Sequence, residues 1–378
     1  MRSSAAVLAI VVAVVVAPGA AAQDSVFGIR GLGFLDRSVS AKSAALGGGF
    51  ALFDPASALN PAALAAWHAT SGWAVASGSN RSFDTGAGTS SLSATRFPLI
   101  GFAGVIGSRV VVAVTASDYL DRNWSVQQTN TDTLRGSPVA VTDNTRSLGG
   151  VTDVRVAMAY RFTGLTFGVG LHVLTGSTET TVNRQFPNDS SYLPFAEQQA
   201  TAYSGAGISF GALANPLHGL VVGASVRFNG RLRAASPDTA ASFPMPVEWN
   251  AGAYYQPVAG VTFTGSVGYA GWGRAAAALV ADSQVPSRGV WNVGFGVEAV
   301  VLHLGRAPLP LRLGYRWRQL PFPIWGSPLS EHAVTGGLGF DTAGGRATVD
   351  LGLESGSRAA GGLSEGFVTA YLGLTIHP

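Results

Sequence analysis

The chain has 378 residues, a formal net charge of +3 and no cysteine, and only 12% of its residues are charged. The lack of cysteine excludes disulfides, thiol catalysis and cysteine-ligated metals. The small net charge gives no argument for nucleic-acid binding. The charged share is about half that of a typical soluble domain, and glycine is abundant, with 50 residues.

The first residues have the layout of a secretory signal peptide. Arg2 supplies a positive charge, Ala5–Ala17 form an unbroken apolar run, and Ala20–Ala22 form a small-residue cleavage site before Gln23. The alternative is an N-terminal membrane anchor, but the run is too short to span a bilayer comfortably. No cysteine follows the run, which excludes a lipoprotein anchor. We predict a signal peptide over residues 1–22 and export of the chain.

The next stretch, residues 23–68, shows no period-two alternation. Gly47–Gly49 would let the backbone turn sharply or approach another surface closely. Asn60 is a favourable N-cap and Pro61 suits the first helical position, which predicts a short helix over Ala62–Trp67. A compact segment of this size could fold inside a barrel as an N-terminal hatch or plug.

The remainder, residues 69–378, reads as short alternating segments. Trp291 and Phe295, for example, fall on one face of a segment, and Asn292 and Glu298 fall on the other. Period two with one polar face indicates a half-buried strand. Fourteen such segments lie near residues 70–79, 91–106, 109–119, 146–162, 165–181, 199–213, 219–232, 246–256, 261–273, 288–302, 309–319, 330–341, 346–356 and 365–376.

The connectors between these segments alternate in length. The tight turns are Gly107-Ser108, Thr163-Gly164, Pro257–Gly260 and Thr342–Gly345. The longer, more polar connectors are Asp121–Thr145, Val182–Gln198, Ala234–Pro244 and Arg274–Ser287. Short turns at one end and long loops at the other are typical of outer-membrane barrels, and an even strand count places both barrel ends on the periplasmic side.

We therefore predict an all-β fold, a transmembrane antiparallel β-barrel of about fourteen strands in the outer membrane of a diderm bacterium. The alternative is a soluble sandwich or propeller. A soluble protein would have to bury the apolar face of every strand, and no second set of periodic elements exists to cover it. The recurring glycines would relieve crowding in the lumen.

Lumen-facing positions of the predicted strands carry many charges. They are Arg155, Arg161, Arg227, Arg231, Arg312, Arg316, Arg318, Glu248, Glu298, Asp350 and Glu354. Charges facing lipid at mid-membrane would cost roughly 2–4 kcal/mol each, which fixes this choice of faces. The residues could form a polar conduit, with Arg312, Arg316 and Arg318 as an anionic-headgroup site, or they could form ion pairs that hold a plug against the wall.

Residues 43–62 resemble the N-terminal hatch of the FadL/TodX outer-membrane transporter family, which includes PorV-like proteins. The matching residues are Ser43, Gly47, Gly48, Phe50, Asp54, Ser57, Ala58 and Asn60-Pro61-Ala62. Pro55 stands where the family often has a second acidic residue, and the gap from Ser57 to Asn60 is a residue or two shorter. The resemblance implies a fourteen-stranded barrel plugged by its N-terminus, with hatch or gating roles for Gly47, Gly48, Phe50, Asp54, Asn60 and Pro61.

One local feature bears on a lateral opening. Pro98 lies inside the second predicted strand, and Gly101 follows it. Proline removes a ladder hydrogen bond, so we expect a kink or bulge there. The result could be a gap in the wall or only a bent strand.

The sequence offers no constellation for catalysis. None of the six histidines has metal-ligand spacing, and there is no Gly-x-Ser-x-Gly elbow and no phosphate loop. We therefore predict neither an enzyme nor a cofactor nor a metal site.

Three functions remain open. FadL-type members pass long-chain fatty acids or aromatic hydrocarbons, so the resemblance implies a transporter of hydrophobic small molecules. Its apolar pocket near the extracellular loops would involve Leu120, Trp124, Leu193, Phe195 and Trp325. PorV-like members serve secretion or surface attachment, which implies a stable protein partner. The third possibility is a polar porin. Sequence reasoning leaves undecided which ligand is carried and whether the hatch gates or only plugs.

Overall fold

The computed structural model describes residues 26–29, 31–35, 39–84, 89–187, 190–281, 287–304, 307–324 and 327–377. The predicted signal peptide and Trp325 lie outside these residues. Within the described ranges, every helix is too short or too polar to cross a membrane.

Fourteen long strands dominate the described part of the chain. They are β1 (Ser71–Asp84), β2 (Thr89–Ile106), β3 (Val110–Asp121), β4 (Ser137–Phe162), β5 (Leu165–Gln185), β6 (Phe195–Leu217), β7 (Leu220–Asn229), β8 (Val247–Val258), β9 (Val261–Ala270), β10 (Val290–Leu304), β11 (Ala307–Ile324), β12 (Ser327–Thr342), β13 (Ala347–Ala360) and β14 (Leu363–Ile376).

The fourteen strands close into an antiparallel barrel. Each pairs with the next along the chain, and β14 pairs with β1 from Ile376 opposite Gly72 to Ser364 opposite Asp84. The predicted all-β barrel is confirmed, and each predicted segment coincides with one of these strands. Both ends of the barrel sequence, at Ser71 and Ile376, lie with the short turns; we call this the short-turn end and the other the long-loop end.

Two of the predicted long connectors contain strands of their own. Strand Trp124–Leu134 pairs with the first part of β4, and strands Arg231–Ala235 and Ala240–Pro244 form a second hairpin. The first hairpin projects beyond Asp121, where β3 ends. Both faces of a projecting hairpin can meet water, so the hydrophobic period that marks a barrel strand is weak in its sequence.

The two faces of the barrel wall differ as expected. Leu171, Phe295 and Leu313 are among the large apolar side chains exposed on the outer face, whereas Arg155 and Arg316 are buried within. A closed sheet with period two separates its residues in this way.

One predicted lumen residue, Arg231, is misplaced. It is exposed, and its Nε donates to Ser242 Oγ across the second hairpin at 2.8 Å. The prediction was wrong because β7 ends at Asn229 and Gly230 interrupts the strand, so the alternation does not carry through to residue 231.

Residues 39–70, which we call the internal segment, lie inside the barrel. Helix α1 (Ala41–Ala45) begins at Ser40, whose Oγ accepts from Ser43 N at 3.0 Å. A 3₁₀ helix (Pro61–Ala66) begins at Asn60, whose Oδ1 accepts from Ala62 N at 3.0 Å. Asn60 and Pro61 thus occupy the cap and first helical positions that their residue types favour.

The remaining short elements lie at the barrel ends. They are a 3₁₀ helix Val26–Gly28, strand Phe34–Leu35, a 3₁₀ helix Trp272–Ala275, helix α2 (Ala276–Ala281) and a 3₁₀ helix Ala343–Gly345. Strand Phe34–Leu35 pairs with the last residues of β3, Leu120 and Asp121.

The internal segment is bound to opposite sides of the wall. Gly47 N donates to Thr335 Oγ1 on β12 at 2.9 Å, and Thr335 in turn donates to the Ala45 carbonyl at 2.8 Å. On the other side, Arg155 Nη1 on β4 donates to the Ala58 carbonyl at 2.8 Å. The segment therefore crosses the lumen as a strut.

Wall glycines make this close contact possible. A Cβ added at Gly314 would lie 2.4 Å from Gly47 N, and one at Gly211 would lie 1.8 Å from Asn60 Oδ1. Any larger side chain at these positions would push the internal segment away. The expectation that glycines relieve crowding in the lumen is confirmed at these two positions.

Candidate functional site

The buried carboxylate of Asp54 connects separate parts of the internal segment by hydrogen bonds. Asp54 Oδ2 accepts from the hydroxyls of Ser40, of Ser43 at 2.5 Å and of Ser57 at 3.1 Å, and Oδ1 accepts from Ala56 N at 3.0 Å. Charge-assisted hydrogen bonds of this kind are about twice as strong as neutral ones. Ser43, Asp54 and Ser57, which are separated in the hatch-like motif, therefore form one polar centre.

The predicted arginine cluster forms ion pairs. Arg316 binds Glu354, with Nη1 to Oε2 at 2.9 Å, and Arg318 Nε binds Glu331 at 2.7 Å. Arg312 Nε binds Glu298 at 2.7 Å. The sequence left open whether these charges form a polar conduit or ion pairs, and the contacts seen here are ion pairs.

Arg358 and Glu365 complete a neutral network with Arg316, Arg318, Glu331 and Glu354. Arg358 contacts both Glu331 and Glu365, so the six buried residues contribute three positive and three negative charges. The ring of Phe34 lies 4.4 Å from the Arg358 guanidinium, and Arg318 Nη1 donates to the Leu35 carbonyl at 3.2 Å. The network thereby holds the strand Phe34–Leu35 against the wall.

A cavity of about 170 Å³ lies between the internal segment and the wall. The internal segment, with the preceding strand, contributes apolar side chains, among them Leu35, Val39 and Leu59, and the wall contributes both apolar ones, such as Val290 and Leu320, and polar ones. The polar wall residues are Tyr119, Arg227, Glu248, Asn250, Ser266, Asn292, Arg318 and Gln319. The cavity is therefore apolar on the side of the internal segment and mixed, with most of its polar groups, on the side of the wall.

The polar side of this cavity has a defined hydrogen-bond pattern. Arg227 Nη1 donates to Asp153 at 2.6 Å and its Nε donates to Asn229 Oδ1 at 2.7 Å. Glu248 accepts from the Tyr119 hydroxyl at 2.7 Å and from Asn229 Nδ2 at 3.0 Å. These contacts fix the orientation of the wall side chains that face the cavity.

An apolar cap closes the lumen toward the long-loop end. Trp272 and Leu279, from the connector between β9 and β10, are almost fully buried in a cluster with Leu120, Phe243 and Phe322. The short helices of this connector therefore fold into the barrel mouth.

A second cavity, of about 290 Å³, lies on the opposite face of the internal segment, toward the short-turn end. Lys42, Trp67, Trp73, Tyr254 and His377 contribute to its lining. The internal segment thus separates a cavity near the long loops from a cavity near the short turns.

The barrel wall has an incomplete seam between β2 and β3. Their pairing extends from Ile106 opposite Val110 only to Leu99 opposite Ser117, although both strands continue. Beyond that point Arg96 on β2 forms an ion pair with Asp121 on β3.

The predicted irregularity at Pro98 is present at the same place. The register of β2 against β1 shifts so that Phe97 and Pro98 stand opposite Ala76 alone, which is a β-bulge. Gly101 has a different role, because a Cβ there would lie 2.3 Å from the Trp73 ring.

Three lumen residues on neighbouring strands have the spacing of a hydrolase triad. His172 Nδ1 lies 2.9 Å from Asp153 Oδ2, and His172 Nε2 lies 2.8 Å from Ser209 Oγ. All three are buried, and a Cβ at Gly170 would lie 2.7 Å from Ser209 Oγ. Ser209 is not among the lining residues of the two cavities described above, and Asp153 also accepts a hydrogen bond from Arg227 Nη1.

Trp325 lies outside the described residues, and the other four predicted apolar pocket residues are not brought together. Leu120 is buried in the apolar cap, and Trp124 begins the projecting hairpin. Leu193 and Phe195 are 85% and 51% exposed in and after the connector between β5 and β6. Among the described residues, the cavity is instead lined by wall residues that were not predicted as a ligand site, such as Asn250 and Asn292. The alternation in the sequence places both side chains in the lumen, but it does not give the register between their strands.

No group of three or more metal-ligating side chains occurs within the described ranges. No protein-family model matches the sequence, and no curated protein matches it.

Solved structures share the fold. A FadL homologue of Pseudomonas aeruginosa aligns with a TM-score of 0.61 at 12% identity, covering 91% of this chain and 99% of that chain. The toluene transporter TbuX of Ralstonia pickettii aligns with a TM-score of 0.61 at 14% identity, covering 90% and 98%. The toluene transporter TodX of Pseudomonas putida gives 0.61 at 14%, covering 91% and 99%.

The chain therefore has the fold of the FadL/TodX-type barrels, as the hatch-like motif led us to expect. Two of these neighbours, TbuX and TodX, are described as toluene transporters.

Proposed function

We propose that the protein is an outer-membrane channel for hydrophobic small molecules. The predicted signal peptide would export the chain. In the outer membrane, the exposed apolar face of the wall meets lipid and the long-loop end is extracellular. The observation that carries the proposal is the cavity between the internal segment and the wall, which is lined by residues of β7 to β11 and by Tyr119 of β3. The incomplete pairing of β2 with β3 is a second, separate feature.

The two features define a route. A ligand that passes the apolar cap reaches the cavity, where the internal segment, acting as a hatch, blocks the way to the short-turn end. The seam between β2 and β3 would offer a sideways exit into the bilayer once strand Phe34–Leu35, which pairs with Leu120 and Asp121 of β3, has moved away. An apolar ligand favours this exit because it avoids the aqueous periplasm.

The size of the cavity favours compact ligands. A cavity of about 150 Å³ in another protein holds benzene, and the present one measures about 170 Å³. A single-ring aromatic compound fits this volume, and a long-chain fatty acid would need the internal segment to move. Transport of toluene, which the printed names of TbuX and TodX describe, is therefore the nearer precedent.

The seam can be locked because the chain has no cysteine of its own. In the double variant Arg96→Cys with Asp121→Cys, a short bifunctional thiol reagent should join β2 to β3. Before cross-linking we expect uptake of labelled toluene by cells to rise slightly, because the ion pair between Arg96 and Asp121 is lost. After cross-linking we expect it to fall about tenfold below that level.

The matched control joins two strands that are already fully paired. Ser330 on β12 stands opposite Ala359 on β13, and cross-linking cysteines at these positions should leave uptake unchanged. If deleting the gene does not lower the uptake of any apolar compound, the proposal is wrong.

A second candidate function is attachment of a secreted protein at the long-loop end. The observation that favours it is the projecting hairpin, together with exposed Leu193 and Phe195. A stable complex that survives purification and is lost in Leu193→Ser with Phe195→Ser would support it. Recovery of the barrel alone would count against it.

A further inference from the structure

We propose that the cavity selects ligands that carry one uncharged hydrogen-bonding group, such as a phenol or an alcohol, over plain hydrocarbons of the same size. This inference rests on the proposed function, because it takes the cavity to be the place where the transported molecule binds.

The first observation is a pair of unpartnered polar atoms. Arg227 uses Nη1 and Nε in hydrogen bonds to Asp153 and Asn229, but its Nη2 is buried without a partner among the described residues. Asn292 Oδ1 is buried and unpartnered in the same sense. Both residues line the cavity. A buried polar group without a partner costs about 1–3 kcal/mol.

The two atoms differ in kind. Arg227 Nη2 can only donate a hydrogen bond, and Asn292 Oδ1 can only accept one. A ligand hydroxyl can do both, because it has one donor hydrogen and two acceptor lone pairs. A plain hydrocarbon can do neither.

The register gives this wall a continuous polar strip. Asn250 on β8 stands opposite Gly268 on β9, which stands opposite Asn292 on β10, which stands opposite Arg318 on β11. A Cβ at Gly268 would lie 2.3 Å from Asn250 Oδ1, so the amide of Asn250 fills the space that a side chain on β9 would take.

Both arginines that line the cavity are already paired with carboxylates, and Glu248 adds a further negative charge. Arg227 pairs with Asp153, Arg318 pairs with Glu331, and Glu248 accepts two hydrogen bonds. A ligand carboxylate would bring an uncompensated negative charge into a buried site, which is costly. The ligand group is therefore neutral.

The rest of the ligand meets an apolar surface. Leu35, Val39, Ala51 and Leu59 line the cavity from the N-terminal side, and Leu320 lines it from β11. A ring packed on this surface would place its single polar substituent toward Arg227 and Asn292.

The test compares three ligands of one shape, namely toluene, p-cresol and p-toluate. Binding is measured by calorimetry on the purified full chain in nanodiscs, with empty nanodiscs subtracted. We expect p-cresol to bind about tenfold more tightly than toluene, in line with one added hydrogen bond, and p-toluate to bind no better than toluene.

The variant Asn292→Leu keeps the side-chain size and removes the acceptor. We expect the preference for p-cresol to disappear while toluene binding stays within about twofold. Asn292→Ser, which retains a polar group, should keep part of the preference. Asn183→Leu, in the projecting part of β5, is the matched control and should behave as wild type.

The outcomes separate this inference from the proposed function. Equal binding of toluene and p-cresol, with no effect of Asn292→Leu, overturns the inference and leaves the channel function standing. Tightest binding of p-toluate also overturns it. If none of the three ligands binds and cells take up no apolar compound, the proposed function itself fails.

Discussion

Single glycines of the wall determine how closely the internal segment can approach it. At Gly211 the missing side chain makes room for the amide of Asn60, and at Gly168 for the backbone of Pro61 and Ala62. The wall therefore fits the 3₁₀ helix of the internal segment because two neighbouring strands each lack a Cβ at its level.

Gly211→Ala should loosen the internal segment, because its methyl group would overlap Asn60 Oδ1 and break the helix cap. Loss of a cap costs about 0.5–2 kcal/mol. We expect faster amide exchange at Ala62 and Ala63 and a larger single-channel conductance. Gly104→Ala is the control, because a Cβ at Gly104 meets no atom within 4 Å. Equal behaviour of the two variants would contradict the role given to Gly211.

The residue scale also shows what sequence reasoning could not reach. Asn60 and Pro61 could be placed on a helix start because capping is local. The contact among Asp153, His172 and Ser209 could not, because it joins three strands and depends on their register. Parity alone places all three in the lumen, but not side by side.

At the scale of strands and hairpins, the seam between β2 and β3 has two irregularities. The bulge has a cause in the local sequence, and the loss of pairing has a cause elsewhere in the chain. The bulge at Pro98 was predictable because proline has no N–H to donate. The loss of pairing beyond Leu99 could not be predicted, because it depends on where β3 ends and on the pairing of β3 with Phe34–Leu35.

Breaking the ion pair across the seam should weaken its closure. We expect Arg96→Ala to increase toluene uptake about two- to threefold at low salt, since exposed or partly buried ion pairs contribute up to about 1 kcal/mol. Arg231→Ala is the control, because that arginine binds Ser242 on the exposed hairpin. Uptake that does not differ between the two variants would show that Arg96 does not hold the seam.

The projecting hairpin should be sensitive to acid. Hydrogen bonds from Arg184 lower the pKa of Asp143, and Arg184 also binds Asp132 at 3.0 Å. Because the folded-state pKa lies below the unfolded one, the stabilisation is present above the unfolded pKa and is lost as pH falls through the folded value. Amide exchange at Gln127–Asn130 should therefore rise below about pH 4.

Asp143→Asn should abolish this pH dependence of exchange in the hairpin. Asp341→Asn, near the turn between β12 and β13, should leave it intact and serves as the control. If the exchange rates of the hairpin respond to acid equally in wild type and Asp143→Asn, another carboxylate is responsible.

At the scale of the whole molecule, the barrel could be predicted because each strand shows the alternation of apolar and polar residues in its own sequence. Trp291 and Phe295 on one face, with Asn292 and Glu298 on the other, identify β10 without reference to any neighbour. The contents of the lumen do not follow in this way, because Asn250 and Asn292 meet only when β8, β9 and β10 are in register.

The contact of the apolar outer face with lipid should contribute to the free energy of unfolding of the barrel in a bilayer. Leu313→Arg places a charge on an exposed position in the middle of β11 and should lower the free energy of unfolding by about 2–4 kcal/mol. Leu193→Arg is the control, because Leu193 is more exposed but lies in a long-loop connector. Unfolding in lipid vesicles, followed by tryptophan fluorescence, should separate the two; similar values would place Leu313 outside the hydrocarbon region.

The strut across the lumen imposes an order on assembly. Helix α1 packs on β12, β13 and β14, and Gly47 bonds Thr335, 288 residues further along the chain. The part of the chain made early can therefore be seated only after the last strands exist. Because β1 and β14 then close the ring, the internal segment must be inside before that final pairing forms. Contacts so distant in sequence make folding slow, and the step that completes the wall is also the step that traps its contents.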